Sequence, residues 1–298
     1  MPCYRPVDAW RPVSGGALKF AERGDCRPVR ISCGQCIGCR LERSRQWAVR
    51  CMHEASLYDA SSFVTLTYDD HFLPLNGSLT YPHFQRFLKR LRKKLGKVRF
   101  YMCGEYGDRT LRPHYHALLF GCFFDDREPL RVTDSGSQIW RSAILEKLWP
   151  YGYSSIGDVT FESAAYVARY CLKKATGPEA AKRYSRVDVG SGEVTMVEPE
   201  FSRMSLKPGI GGIWFDRFSD EVVVHKGVMM YGDPVGLPRF YKDRLRKARP
   251  FDADFVSEDR VASVVSHPEY VWDNSPERLA IREAVAAGKA GLKFKSLE

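Results

Sequence analysis

Helical periodicity is strongest over residues 82–95, where Phe84, Phe87, Leu88, Leu91 and Leu95 recur on one face and Gly96 supplies a stop. A looser stripe of Leu41, Trp47, Ala48, Cys51, Met52 and Ala55 predicts a helix over 39–58. The β-branched and aromatic run SSFVTLTY predicts a strand over 61–68, and Asn76-Gly77 marks a turn in the loop that follows. Residues 98–103 and 114–120 read as strands joined by the loop 104–113, 125–137 as an inserted loop, 139–149 as a helix and 153–160 as a strand. A further helix is predicted over 162–175, ended by Gly177-Pro178. Short strands with glycine turns are expected over 185–238, and a mixed-charge tail over 250–298.

Strands that alternate with helices, with antiparallel neighbours across the short 104–113 loop, give an α+β chain in which helices cover a sheet. The expected organisation is a cysteine-rich segment and helix over 1–58 packed on a core over 59–180, then an extension over 181–298. The formal net charge of +10 favours a polyanionic partner. That charge is localised. Arg86, Lys89, Arg90, Arg92, Lys93, Lys94, Lys97 and Arg99 occupy one stretch without an acidic residue, and 239–249 sets six basic residues against Asp243. Aromatic side chains, 13% of the chain, offer stacking surfaces for unpaired bases. The opening MPCYRPVDAWRP lacks the apolar centre of a secretory signal, and the longest apolar run, YHALLFGCFF, is too short to span a membrane. The chain therefore reads as intracellular without a membrane partner. In that compartment nine cysteines point to metal ligands or free thiols rather than a disulfide scaffold.

Two clusters carry chemistry. In RPHYHALLF, His114 and His116 lie two apart on a strand, so both imidazoles face one side and can hold one divalent metal. In YVARYCLKK, Tyr166, Tyr170 and Lys173 share a helical stripe. At about 100° per residue, Tyr170 lies about 40° to one side of Tyr166 and Lys173 about 20° to the other. Either cluster alone is commonly packing. Both together, on a basic chain, suggest covalent phosphodiester chemistry.

FVTLTYDD, RPHYHALLF and YVARYCLKK, in that order, resemble the three motifs of the His-hydrophobic-His (HUH) endonucleases of the replication-initiator branch. With CGQCIGC and LKRLRKK added, the pattern is most similar to the initiators of microviruses, the gokushovirus group in particular. The resemblance implies a central antiparallel sheet of HUH/ferredoxin-like type with flanking helices. It implies His114 and His116 as ligands of Mg²⁺ or Mn²⁺, with Glu105 as candidate third ligand ahead of Tyr106 and Asp108. Tyr166 and Tyr170 become the nucleophiles, with Lys173 and Arg169 lowering the phenol pKa. Tyr115 departs from the aliphatic middle residue usual in the family, but it points to the opposite face.

The implied activity is metal-dependent nicking of single-stranded origin DNA by tyrosine. It forms a 5′-phosphotyrosine link, leaves a 3′ hydroxyl that primes synthesis, and rejoins strands to release single-stranded circles. This is the work of a rolling-circle replication initiator in the cytoplasm of a bacterial host, with origin DNA, host helicase and polymerase as expected partners. Arg86, Lys89, Arg90, Lys93 and Lys94, on the side of their helix away from the apolar stripe, are expected to hold the DNA backbone, together with Arg169.

Cys33, Cys36 and Cys39 form a CxxCxxC cluster suited to a tetrahedral structural Zn²⁺ that needs one more thiolate. Cys3, Cys26 and Cys51 are candidates, and Cys3 is preferred because it would tie down the N-terminus. An iron–sulfur reading lacks the fourth cysteine with its following proline. A non-enzymatic zinc-containing single-stranded DNA-binding protein would explain the charge and the thiols equally well. It would leave the histidine pair and the tyrosine stripe without a role.

Overall fold

The computed structural model describes residues 3–22, 24–107, 110–170, 178–187, 190–266 and 269–294. It divides into two compact units, one of residues 44–256 and one built from 1–43 with 257–298. In chain order the first elements are β1 (Val7–Pro12), β2 (Cys26–Ile31), α1 (Ile37–Ala55), β3 (Ser61–Thr67), α2 (Tyr81–Leu95), β4 (Arg99–Tyr106) and β5 (Pro113–Phe120). There follow β6 (Glu128–Val132), β7 (Gln138–Arg141), α3 (Ala143–Leu148), β8 (Ser154–Asp158), α4 (Phe161–Tyr170) and α5 (Pro178–Tyr184). Then come β9 (Ser185–Val187), β10 (Val194–Met196), β11 (Phe201–Met204), α6 (Gly212–Val224), β12 (Val228–Met230) and β13 (Asp233–Val235). The chain ends in α7 (Arg239–Ala248), α8 (Pro250–Val265), α9 (Tyr270–Asp273) and α10 (Pro276–Phe294).

Among the described residues of the larger unit, seven strands join in the order β11-β4-β5-β3-β8-β7-β6. Every pairing in this sheet is antiparallel. The chain order β3-α2-β4-β5-α3-β8, laid out in space as β4-β5-β3-β8, is the split βαβ arrangement of ferredoxin-like folds. The α+β sheet expected from the pattern is present, and its two crossover helices share one face. There α2 buries Phe84, Phe87, Leu88 and Leu91 in one core with Val64, Leu66, Phe100, Met102, Tyr115 and Ala117, and α3 adds Leu145 and Leu148. Burying each such large apolar side chain stabilises the fold by roughly 1.5–3 kcal/mol.

The opposite face is covered by α1 and α4. Ala48 and Cys51, with Ala164, Val167 and Ala168, pack on Tyr101, Cys103, Leu118 and Phe120. A buried ion pair locks α1 to β4: Arg99 Nε lies 2.5 Å from Glu54 Oε1, and Glu54 Oε2 accepts from Gly211 N at 2.7 Å. Both side chains are almost wholly out of water, so removing either would strand a buried charge at a cost of about 3–5 kcal/mol. In the smaller unit β1 and β2 form an antiparallel hairpin, and Arg5 Nε pairs with Glu283 at 2.8 Å. No described helix is long and apolar enough to cross a membrane.

Several elements differ from the pattern-based expectation. The 139–149 helix is a strand followed by a helix, because Ser142 is extended and its hydroxyl accepts from Leu145 N, which makes it an N-cap. The inserted loop holds β6, an all-exposed strand paired with β7. With both faces wet it carries no alternation to read. β4 runs on through Tyr106, so Glu105 belongs to a strand and not to a loop. The 250–298 tail is largely helical, and α6 begins at paired glycines that read as a turn.

Candidate active site

Strand register assembles the site. Glu105 on β4 stands directly opposite His114 on β5, and Thr67 on β3 flanks His114 from the other side. One row along, Cys103 and Thr65 flank His116. Directly opposed residues on neighbouring strands have Cβ atoms about 4.5–5.5 Å apart and share a face. His114 Nε2 lies 2.7 Å and His116 Nε2 2.9 Å from the same Glu105 oxygen, Oε1. The three ligand atoms lie within 4.8 Å of one another.

The outer nitrogens are held as well. His114 Nδ1 lies 3.1 Å from Arg112 O, a group that only accepts, so Nδ1 carries a proton and the ring is held with Nε2 facing the centre. His116 Nδ1 pairs with Thr65 Oγ1 at 2.9 Å. Burial works against the charge of Glu105, but hydrogen bonds from His114 and His116 outweigh it and hold the carboxyl below its ordinary range. Glu105 Oε2 is buried without a hydrogen-bond partner. An orphaned carboxylate oxygen beside two imidazoles whose Nε2 atoms converge is a donor set that fits a divalent cation once those nitrogens give up their protons. Tyr106 is not part of it. Its hydroxyl sits in the other core, donating to Glu198 O at 2.7 Å and accepting from Leu79 N at 3.0 Å. Asp108 lies outside the described residues.

Helix α4 brings Tyr166 against this centre. Its ring stands edge-on to His116 with centroids 5.1 Å apart, and edge-on to Phe63 at 6.4 Å. Phe63 in turn stacks on His116 at 5.7 Å. Arg169 is half-buried on α4, three residues beyond Tyr166. Tyr170 is the last residue of α4 and its side chain lies outside the described residues, as does all of Lys173.

The basic helix is not brought to the histidines. Arg86, Lys89, Lys93 and Lys94 are exposed, and Arg90 is half-buried with Nε donating to Leu148 O at 2.9 Å. Because α2 packs on the Tyr115 face, the sheet stands between these charges and the triad. Sequence reasoning missed Thr65, Thr67 and Phe63. The signal was available: in FVTLT these residues alternate on one face of a strand, with the same period that aligns the two histidines.

In the smaller unit the four Sγ atoms of Cys3, Cys33, Cys36 and Cys39 lie within 4.8 Å of one another. A tetrahedral zinc with Zn–S near 2.3 Å needs sulfurs about 3.8 Å apart, and Cys33 and Cys39 stand at 4.0 Å. Backbone N–H groups point at the thiols: Tyr4 N at Cys36 (3.4 Å), Cys33 N at Cys3 (3.3 Å) and Cys36 N at Cys33 (3.3 Å). Burial raises the Cys36 thiol, but donors from Cys39 and Tyr4 win and bring it down to about 7. Cys26 opens β2 and Cys51 is sealed in the α1–sheet core, so neither joins the cluster.

Residues 61–175, the span that holds both β5 and α4, match the family of replication-associated proteins ORF2/G2P. The chain is 32% identical over 263 residues to the replication-associated protein VP4 of Bdellovibrio phage phiMH2K, covering 84% of this chain and 79% of that one. It is 29% identical to the replication-associated protein ORF2 of Spiroplasma virus 4, covering 87% and 86%. With the replication-associated protein ORF4 of Chlamydia phage 1 it shares 30% identity over 76% of this chain and 56% of that one. No solved structure matches.

Proposed function

Since the chain belongs to the phage replication-associated proteins, the kind of protein its three motifs resemble, we propose that it initiates rolling-circle replication by nicking single-stranded origin DNA through tyrosine. The observation that supports this most is the convergence of His114, His116 and Glu105, with one carboxylate oxygen orphaned and Tyr166 set against His116.

Glu105, His114 and His116 would hold Mg²⁺ or Mn²⁺, which when bound supplies positive charge to the scissile phosphate. The chain's own groups do the rest. An α4 phenol oxygen attacks phosphorus in line, the P–O3′ bond breaks, and the departing 3′ oxygen takes up a proton to become a hydroxyl. The product is a phosphotyrosine at the 5′ end. At an ordinary pKa near 10 only about one phenol in a thousand is ionised at pH 7, so a nearby cation must favour the phenolate. Arg169 and Lys173 are the protein groups assigned that work. The bond energy stays in the phosphotyrosine linkage, so rejoining to a 3′ hydroxyl needs no nucleotide cofactor. Two tyrosines one helical turn apart can alternate, one holding the old 5′ end while the other cuts anew.

In the smaller unit, Cys3, Cys33, Cys36 and Cys39 are assigned a closed structural Zn²⁺ site, with no open position for chemistry. The test of the main reading is direct. Chelated protein should leave single-stranded DNA of the encoding genome intact, and added Mn²⁺ or Mg²⁺ should restore a nick whose 3′ end a polymerase extends. Cleavage that persists in chelator would contradict it. DNA bound without any cleavage would favour the non-enzymatic reading.

A further inference from the structure

The row of side chains containing the triad continues across the sheet. Glu105, His114 and Thr67 stand opposite one another on β4, β5 and β3. The β3–β8 pairing places Thr65 opposite Ser155 and Leu66 opposite Ser154. The ladder does not stop there, because Thr67 N donates to Tyr153 O at 2.8 Å and Asp69 N to Tyr151 O at 2.9 Å. Thr67 Oγ1 also donates to Tyr153 O, at 3.2 Å. Tyr153 therefore stands opposite Thr67, fourth in the row, on the triad's face.

Its surroundings set it apart from the other aromatic residues of this face. Phe63 and Tyr166 are packed around His116, whereas Tyr153 is 69% exposed. The ring is positioned all the same. Its hydroxyl reaches Asp69 Oδ2 at 3.4 Å, and the preceding Gly152 has φ of 150°. A Cβ at Gly152 would strike the backbone of Thr67 to Asp69, so only glycine lets the chain close onto β3 there. Tyr151, on the far side of that glycine, turns instead into the α2 core against His83 and Trp149. One glycine thus separates a half-buried tyrosine that packs on the core from an exposed one.

Resting on the nicking assignment above, we infer that Tyr153 is a stacking subsite for one unpaired base of the DNA strand held at the triad. It lies two strand spacings from His114, about 10 Å. That is about three stacked bases at 3.4 Å each, so the base it takes lies within about three nucleotides of the scissile phosphate. A flat aromatic face accepts any base, so the subsite fixes strand position and leaves sequence choice to other residues.

The test pairs Tyr153→Ala, Tyr153→Leu and Tyr153→Trp with oligonucleotides spanning the nick, each carrying one abasic position. Affinity is read by fluorescence without metal, so it reports even if no cleavage occurs. Tyr153→Ala and Tyr153→Leu should weaken binding roughly 5- to 150-fold, with Tyr153→Trp at wild-type level, as loss of one base–aromatic stack requires. Wild type should lose the same factor at one abasic position within three nucleotides of the nick, and Tyr153→Ala should be indifferent to that position. A Tyr153→Leu protein that binds as wild type, or a Tyr153→Ala protein still penalised at every abasic position, would overturn the subsite. Absence of cleavage with these affinity effects intact would count against the nicking assignment alone.

Discussion

Along β5 the side chains of His114 and His116 go to one face of the sheet and Tyr115 goes to the other, and the polar groups these residues meet are treated in opposite ways. On the α2 face the tyrosine hydroxyls around Tyr115 are matched. Tyr115 Oη donates to Thr80 O and accepts from Thr80 N, both at 2.9 Å, and it meets Tyr68 Oη at 3.1 Å. Tyr68 continues the chain to His83 Nδ1 at 2.9 Å. Thr80 precedes α2 without capping it through its own side chain, so Tyr115 ties the start of that helix to the central strand. On the α4 face, two residues of the same strand converge on a carboxylate that keeps one oxygen without a partner. A satisfied network gives rigidity, and an unsatisfied buried group needs a reason. Here the rigid face supports the face to which we assign chemistry.

The sharpest way to break this comparison is at the histidines. His114→Ala and His116→Ala should abolish nicking in a gel assay and leave DNA affinity nearly unchanged, because affinity is expected to rest on phosphate and base contacts made elsewhere. The same variants should alter the acid limb of stability in urea melts of metal-free protein. The folded Glu105 carboxyl sits below its ordinary pKa, so its contribution is complete above the ordinary value and fades as pH falls through the folded one. Without the histidines that fading should shrink.

Tyr115→Phe probes the other face. It strands Thr80 N–H and C=O and removes one partner of Tyr68, which should cost about 1–3 kcal/mol in denaturant unfolding. Nicking by the folded fraction should persist. If the histidine variants unfold the protein as much as Tyr115→Phe does, the two faces are not different in kind.

The smallest effect belongs to α2. Neutralising Arg86, Lys89, Lys93 and Lys94 should lower the salt slope of DNA binding by about one per charge that touches phosphate. These charges lie across the sheet from the triad, so cleavage of a short oligonucleotide should proceed at the wild-type rate. A slowed nick on a short substrate would mean that DNA wraps around to this face during chemistry.

The sequence displayed some of this arrangement and hid the rest for physical reasons. Strand β3 and helix α2 were legible because each has one buried face, which imposes a period of 2.0 or 3.6 on its residues. Strand β5, in contrast, is buried on both faces and reads as a nearly continuous apolar run beyond the histidines. The facing of His114 and His116 followed from the same period. β6 was hidden because it is exposed on both sides, and the α3 boundary because Ser142 is a cap inside an otherwise apolar run. The facing of Thr65 could be read from the β3 alternation, but its pairing with His116, fifty-one residues away, was hidden because register is not written locally. Cys3 was preferred over Cys26 and Cys51 only because it would tie down the N-terminus, since the chain between it and Cys33 carries no spacing rule.

The central claim is that an α4 tyrosine becomes joined to DNA, and peptide mapping of the trapped complex tests it. Protein incubated with Mn²⁺ and single-stranded DNA of the encoding genome should, after nuclease and protease digestion, yield a nucleotide-bearing peptide that contains Tyr166 and Tyr170. Tyr166→Phe and Tyr170→Phe should each keep an adduct, on the remaining tyrosine, and lose strand joining, while the double variant should carry none. An adduct mapped outside α4, or one that survives in the double variant, would contradict the account.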